Sequence, residues 1–511
     1  MRPLIHLLLI ISLAATAMLS FSGCGDVGAG GGSSSPPPGN GGDTGVTVGG
    51  AQDMAYARSL INDGQVPEMT AFTYEGCFSE YDLPVAAEMS NDGLLRAGAA
   101  QAYQGDDRLE PVGLFLHLAF AADEDAVAET MARDLDISIV LDVSGSMSSG
   151  LPGEYGTSNR KIDLAKQALH DLLTRLDDRD RIGITLFNEE SWTHLEPTYA
   201  DDIEAIQASI SSITSGGSTN IAGGLERGLQ QFDSTPEDQD PTRRVVLFTD
   251  ALPNVGATDG HHFRQQVEAA ATEGIGLTVF GVGLDQDFEL ATYMANTHGG
   301  NYRNLTNSDE MREVFTSIDF DYLMHPLAYD LQLELEASDD VSIIDAFGIP
   351  GRDERYHLIM DSKTLFLSRN RGAILLQLTP RCWQGAELGS LLLSYRTPAG
   401  DEREHRVDLS YNGPDEEELP EPTPFAEGDG TRLALLLTRY VRTLREACHR
   451  FHDGETADTA PADMISTLIE VLQEEQAHFA SEQLTVEVDT AIKLWENMTG
   501  EEWEPAVRYG T

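Results

Sequence analysis

Hydrophobic and polar positions along this chain change rhythm in successive blocks. Residues 4–21 are one apolar run. Between 135 and 319, short continuous apolar runs at 137–141, 182–187, 245–248 and 275–282 alternate with helical stripes such as Ile162, Ala165, Leu169, Leu172, Leu173 and Leu176. A strand that is apolar at every position is buried on both faces. The spacing therefore predicts an α/β fold with a doubly wound, mostly parallel sheet sandwiched by helices. Further helices are expected at 201–213, 221–231, 261–273, 287–297 and 308–319. After 319 the period becomes two: Tyr329, Leu331, Leu333 and Leu335 are separated by Asp330, Gln332, Glu334 and Glu336. That is a half-exposed strand. More strands at 341–347, 355–360, 364–368, 372–379, 389–396 and 404–411 predict an antiparallel sheet or sandwich. Leu433, Leu436, Leu437, Tyr440, Val441 and Leu444 then form a helical stripe, with helices to follow at 462–479 and 482–497.

These rhythms divide the chain into a leader at 1–23, a Gly/Ser/Pro tether at 24–50, an accessory region at 51–133 and the α/β domain at 134–319. A β-rich domain at 320–413, an acidic Pro-rich linker at 414–430 and a helical region at 431–511 complete it. The accessory region begins with a helical pattern at 54–62 and has a strand-like run at 112–120. The leader has Arg2 before its apolar core and ends Ser22-Gly23-Cys24, the pattern of a secretory signal. That ending resembles the bacterial lipoprotein cleavage box, with Phe21 where the box usually carries Leu. The resemblance implies that Cys24 is the lipidated first residue of a mature protein anchored in the bacterial cell envelope, on the periplasmic side or the cell surface. A tether poor in apolar residues would hold the folded body away from that membrane. No later run reaches the ~18 apolar residues of a spanning helix.

Charge narrows the partners. With 33 basic and 85 acidic side chains the chain carries a formal −52. Binding to a phosphate backbone rests on Lys and Arg, so nucleic acid is not an expected partner. The same field concentrates divalent cations near the surface. At 41% hydrophobic residues the chain can bury cores, and its length is that of several domains. Beyond Cys24, the cysteines Cys77, Cys382 and Cys448 permit at most one internal bridge, and none shows metal-ligand spacing.

The chemistry gathers at the carboxyl ends of the predicted parallel strands, where ligands bind in doubly wound folds. The run 137–141 leads into Asp142-Val143-Ser144-Gly145-Ser146, which places a carboxylate and two hydroxyls at alternate positions. A Gly-rich turn before a helix offers Thr219, and the run 245–248 ends in Thr249-Asp250. Carboxylate, hydroxyl and water oxygens without His or Cys describe a hard-cation site, better suited to Mg²⁺ than to a dedicated Ca²⁺ cage.

Asp142-x-Ser144-x-Ser146, Thr219 and Asp250, in this order and at these strand ends, resemble the metal-ion-dependent adhesion site of the von Willebrand factor type A domain. The resemblance covers roughly residues 134–319. It implies that Ser144, Ser146 and Thr219 ligate Mg²⁺, with Ca²⁺ and Mn²⁺ as alternatives, and that Asp142 and Asp250 act largely through waters. One position is left for an acidic residue of a protein or peptide partner. The sequence departs at Ala251, where many members carry Gly, which bears on the loop and not on the ligands. A short segment at 55–64, with Pro67, also resembles the region that precedes this domain in bacterial exported lipoproteins.

The expected function is thus a membrane-tethered, non-enzymatic binding protein. A metal-dependent hydrolase or phosphatase at the same site, or a structural envelope assembly protein, is the alternative. Against phosphoryl transfer, Ser stands at 144, where a second carboxylate is needed. Ser218 lacks a Gly-x-Ser-x-Gly elbow, and His261-His262 reads as a solvated helix start. No dinucleotide or Walker fingerprint appears.

Overall fold

The computed structural model describes residues 45–48, 54–85, 88–91, 94–151, 160–236, 239–250, 258–283, 293, 297–305, 308–339, 341–349, 358–368, 371–380, 387–411, 413, 425–454, 461–479 and 484–504. Cys24, Ala251, Cys382, most of the linker and most of the helix expected at 287–297 lie outside the described residues.

In chain order the strands are β1 (Gly45–Val48), β2 (Glu88–Asn91), β3 (Leu95–Gln104) and β4 (Gly113–Ala122), then β5 (Leu135–Asp142), β6 (Arg181–Phe187), β7 (Ser191–Tyr199), β8 (Thr242–Thr249), β9 (Ile275–Val282) and β10 (Gly300–Leu305). There follow β11 (Pro326–Ala337), β12 (Val341–Phe347), β13 (Leu358–Ser368), β14 (Ala373–Pro380), β15 (Glu387–Arg396), β16 (Glu402–Ser410) and β17 (Phe425–Ala426).

The middle of the chain is the expected α/β unit, with strand order β10-β9-β8-β5-β6-β7. Its strands are parallel except β7, which runs antiparallel to β6. Every residue of β5, β6 and β9 is buried. Along β5, Ile137, Ile139 and Leu141 join one core cluster while Val140 joins the other, so the helices cover both faces. The edge strand β7 was not expected. Its residues are half-buried or exposed, so it lacks the apolar run of its neighbours. The chain leaves β5 toward β6 on one side and β8 lies on the other, which makes the carboxyl end of β5 a topological switch point.

The flanks differ from the sequence-based division. The accessory region and the β-rich region are one eleven-stranded antiparallel system, because β4 pairs with both β3 and β14. The alternating Leu114, Leu116, Leu118, Leu331, Leu333, Leu391 and Leu393 converge in one cluster, so the sheet curls around its own apolar face. β3 escaped the sequence reading because its Ala-rich run has no β-branched residues to mark it. Residues 45–48, expected as part of the tether, are instead strand β1, seated against β13. The expected strands at 355–360 and 364–368 are the single strand β13.

The long helix Asp429–His452 and the helices Pro461–Phe479 and Thr485–Thr499 do not form a separate bundle. They share one core with the helices Ala55–Asn62 and Tyr74–Ser79 and with Phe115 and Leu375 of the sheet. Cys77 and Cys448 are unpaired and buried in that core. Buried Arg439 donates to the carbonyls of Asp106 and Leu109 and so pins the β3–β4 connection onto the long helix. Among the described residues no helix is long and apolar enough to cross a membrane.

Candidate functional site

Strand β5 delivers Asp142 fully buried at its carboxyl end. The chain then turns sharply, because Asp142 Oδ1 accepts the Ser144 N–H at 2.8 Å and a 3₁₀ turn, Gly145–Ser148, begins. This Asx turn reverses the backbone without regular pairing. The second oxygen, Oδ2, accepts the hydroxyl of Thr249, the last residue of β8, at 2.8 Å. Both carboxylate oxygens are thus held by protein donors. Burial pushes the Asp142 carboxyl above its ordinary range, and nearby Asp250 adds to this. The Ser144 and Thr249 hydrogen bonds pull it back down.

From there a relay of oxygens runs outward. Ser144 Oγ lies 3.0 Å from Ser146 Oγ, and Ser146 Oγ donates to Asp250 Oδ1 at 2.8 Å. Lys161 Nζ donates to Asp250 Oδ2 at 2.9 Å. Ser144 is buried and Ser146 is exposed. The relay therefore starts inside the domain, touches solvent at Ser146 and ends on Asp250, whose side chain is only 1% exposed.

A second loop is stitched alongside. Gly145 N–H donates to the Gly217 carbonyl at 2.9 Å and Gly216 N–H to the Val143 carbonyl at 2.6 Å. Just past the carboxyl end of β6, Asn188 donates to the Gly216 carbonyl and the Glu189 carboxylate accepts the Ser218 N–H. Gly217 has φ +98, and an added Cβ would lie 2.1 Å from Glu189 Oε2, so only glycine fits this turn. Asn220 then caps the helix Ile221–Leu229 by accepting the Gly223 N–H.

The structure joins Asp142, Ser144, Ser146 and Asp250 in one hydrogen-bonded chain. Thr219 is exposed on the adjoining loop and makes no hydrogen bond to those four among the described residues. Three residues were not singled out by the sequence reading: Lys161, the Thr249 hydroxyl and Glu189. Thr249 had a local signal, since it stands beside Asp250 at the end of a buried strand. Lys161 had only its rarity, as one of four lysines in the chain.

A different acidic group, Asp134, Asp177 and Asp180, has carboxylate oxygens within 4.8 Å of one another. It lies at the other end of β5, about 25 Å along the strand. Asp180 there accepts the Leu135 and Asp177 N–H groups, and Arg179 pairs with Asp134. These carboxylates tie a loop to the strand start. His261 and His262 are exposed on the helix Thr258–Thr272, and no metal-ligand group includes them among the described residues.

The chain matches the family model for the von Willebrand factor type A domain over residues 136–317. It is 25% identical over 206 residues to inter-alpha-trypsin inhibitor heavy chain H1 of Mesocricetus auratus, covering 39% of this chain and 21% of that protein. It is 27% identical over 202 residues to Escherichia coli (strain K12) YfbK, covering 39% of this chain and 33% of that protein. The chain therefore spans between a fifth and a third of the length of these curated relatives. A solved von Willebrand factor type A structure from Catenulispora acidiphila shares the fold at TM-score 0.50 and 14% identity, covering 78% of this chain and 90% of that one. The α/β unit that carries the oxygen relay at the end of β5 is a von Willebrand factor type A domain.

Proposed function

We propose that this chain is an exported, membrane-tethered binding protein whose type A domain captures a protein or peptide partner through a Mg²⁺-bridged acidic contact. The observation that carries this reading is the relay Asp142–Ser144–Ser146–Asp250 at the switch point of the sheet. Its donors are all carboxylate and hydroxyl oxygens, the set that suits a hard cation. Ser144, Ser146 and Thr219 would hold the ion, and Asp142 and Asp250 would act through waters, since their oxygens already accept protein hydrogen bonds. A bound Mg²⁺ supplies a Lewis-acidic position for a carboxylate oxygen of the partner.

The residues of the chain do the positioning. Thr249 and the Ser144 N–H fix the Asp142 carboxylate, and Glu189 and Asn188 hold the Thr219 loop against the Asp142 turn. The site binds and does not turn over substrate: both Asp142 oxygens are occupied by donors, which suits a fixed anchor better than a nucleophile or general base. Lipidation at Cys24 places the domain at the cell envelope, and mass spectrometry of the mature N-terminus, with Cys24→Ser as control, tests it.

The decisive experiment is a pull-down from envelope extract with the native chain and Asp142→Ala side by side, with Mg²⁺ and with EDTA. A partner held by the native chain in Mg²⁺ and lost under EDTA and in Asp142→Ala is the expected result. Retention through EDTA overturns the metal-bridged mechanism.

A further inference from the structure

We propose that Lys161 is a built-in counter-cation of the site, which weakens its hold on a divalent ion alone and so couples ion binding to the arrival of a carboxylate. The inference rests on the metal-site reading above.

The geometry is specific. Lys161 Nζ sits 2.9 Å from Asp250 Oδ2, and the two side chains are only 15% and 1% exposed, so the ammonium is not a solvated surface charge. The backbone delivers it there. Lys161 opens the helix Lys161–Leu172, its own N–H bonds the Ser149 carbonyl at 2.9 Å, and Gly150 bridges Arg160. Lys161 is thus anchored to the 3₁₀ turn that carries Ser146. Gly283, just past β9 at φ +129, leaves room for the lysine: a Cβ there would stand 3.2 Å from Nζ.

The charge count gives the consequence. Asp142 and Asp250 bring two negative charges, and among the described residues Lys161 is the cation that pairs with either of them. With it the relay itself keeps one net negative charge, while the exposed Glu189 carboxylate borders the site on the Thr219 loop. A divalent ion that shares Asp250 with an ammonium is opposed by about tenfold or more in affinity, even with the screening of bulk water. The ion–site assembly then keeps a net positive charge, which an incoming carboxylate neutralises. By linkage, the carboxylate must tighten the ion by the factor by which the ion tightens the carboxylate.

The test is a Mn²⁺ titration of the full chain, followed by electron paramagnetic resonance, in the native protein, Lys161→Met, Lys161→Gln, Lys161→Arg and Asp142→Ala. Both neutral variants should bind Mn²⁺ about tenfold tighter or more, and Lys161→Arg should stay near native. Sodium acetate, as a surrogate carboxylate, should tighten Mn²⁺ more in the native chain than in Lys161→Met. If the neutral variants bind equally or more weakly, Lys161 merely positions Asp250 and the proposal falls while the metal site stands. If the native chain binds no better than Asp142→Ala, the metal-site reading itself fails, and this one with it. Two neutral variants with different shapes guard against one that does not fold.

Discussion

His298 Nε2 lies 2.5 Å from Asp330 Oδ1, across the seam between the type A domain and the antiparallel sheet. Asp330 adopts φ 50, rare for a non-glycine residue, at an irregularity where β11 shifts register against β15. Its other oxygen accepts from Arg396 at 2.5 Å, and the His298 ring stacks on Tyr329 at 5.2 Å. Burial raises the Asp330 carboxyl, but the hydrogen bonds from His298 and Arg396 outweigh it and leave it below its ordinary range. A strained residue that holds a partner from each side acts as a clasp. Asp330→Ala should cost about 1 kcal/mol, with a partly exposed ion pair discounted for solvent. Differential scanning calorimetry should show the two regions unfolding less cooperatively than in the native chain.

Divalent ions should stabilise the protein through the site. At a hundredfold excess over Kd, Mg²⁺ or Mn²⁺ should add about 2.7 kcal/mol to unfolding, read as a rise in Tm. Ser144→Ala, Ser146→Ala and Thr219→Ala should each reduce the rise and Asp142→Ala should abolish it. An equal rise in all four variants would place the ion elsewhere.

His117 should make the fold acid-sensitive. It is fully buried in β4 with Nδ1 3.1 Å from Thr431 Oγ1, and burial pushes its pKa down to about 3. The unfolded chain takes up the proton near pH 6.5, while the folded chain does not until near pH 3. Stability contributed by neutral His117 is therefore complete above pH 6.5. It is lost as pH falls between those values, at about 1.4 kcal/mol per pH unit. His117→Leu should flatten that part of the Tm–pH curve; an unchanged slope would mean other groups dominate.

The ends of the folded body are clipped by a buried ion cluster. Arg58 bonds Glu80 at 2.6 Å and Glu487 at 3.0 Å, and the Glu487 side chain is fully buried. Desolvation lifts the Glu487 carboxyl, with Glu80 adding, and the Arg58 charge and a Tyr81 hydrogen bond oppose it. Removing one partner should be costly: Glu487→Ala is expected to lose about 3–5 kcal/mol in denaturant titration. The triple variant Arg58→Met, Glu80→Gln, Glu487→Leu should recover much of that loss, because with Glu80 also neutral no uncompensated charge is left buried.

Much of the type A domain was legible because its central strands are buried on both faces, and that requirement writes itself as continuous runs such as 137–141 and 275–282. Strands without that requirement left weaker marks. Solvent-facing β7 breaks the apolar run, Ala-rich β3 lacks β-branched residues, and Gly45–Val48 looked like tether because its partner β13 lies more than three hundred residues away. The union of 88–122 with 326–410 in one sheet is a matter of long-range pairing, to which local periodicity is blind.

The site divides the same way. The order Asp142, Ser144, Ser146 is local, since a strand end followed by an Asx turn sets those atoms within a few residues. That Ser146 meets Asp250, that Thr249 holds Asp142, and that Lys161 lies on Asp250 follows only once β5 and β8 pair in register and the helix Lys161–Leu172 packs against them. Sequence alone therefore determined the local order of Asp142, Ser144 and Ser146 at the end of β5. The tertiary structure decided which charge stands beside them, because an ion pair between residues 89 positions apart depends on where two elements dock and on nothing either segment specifies alone.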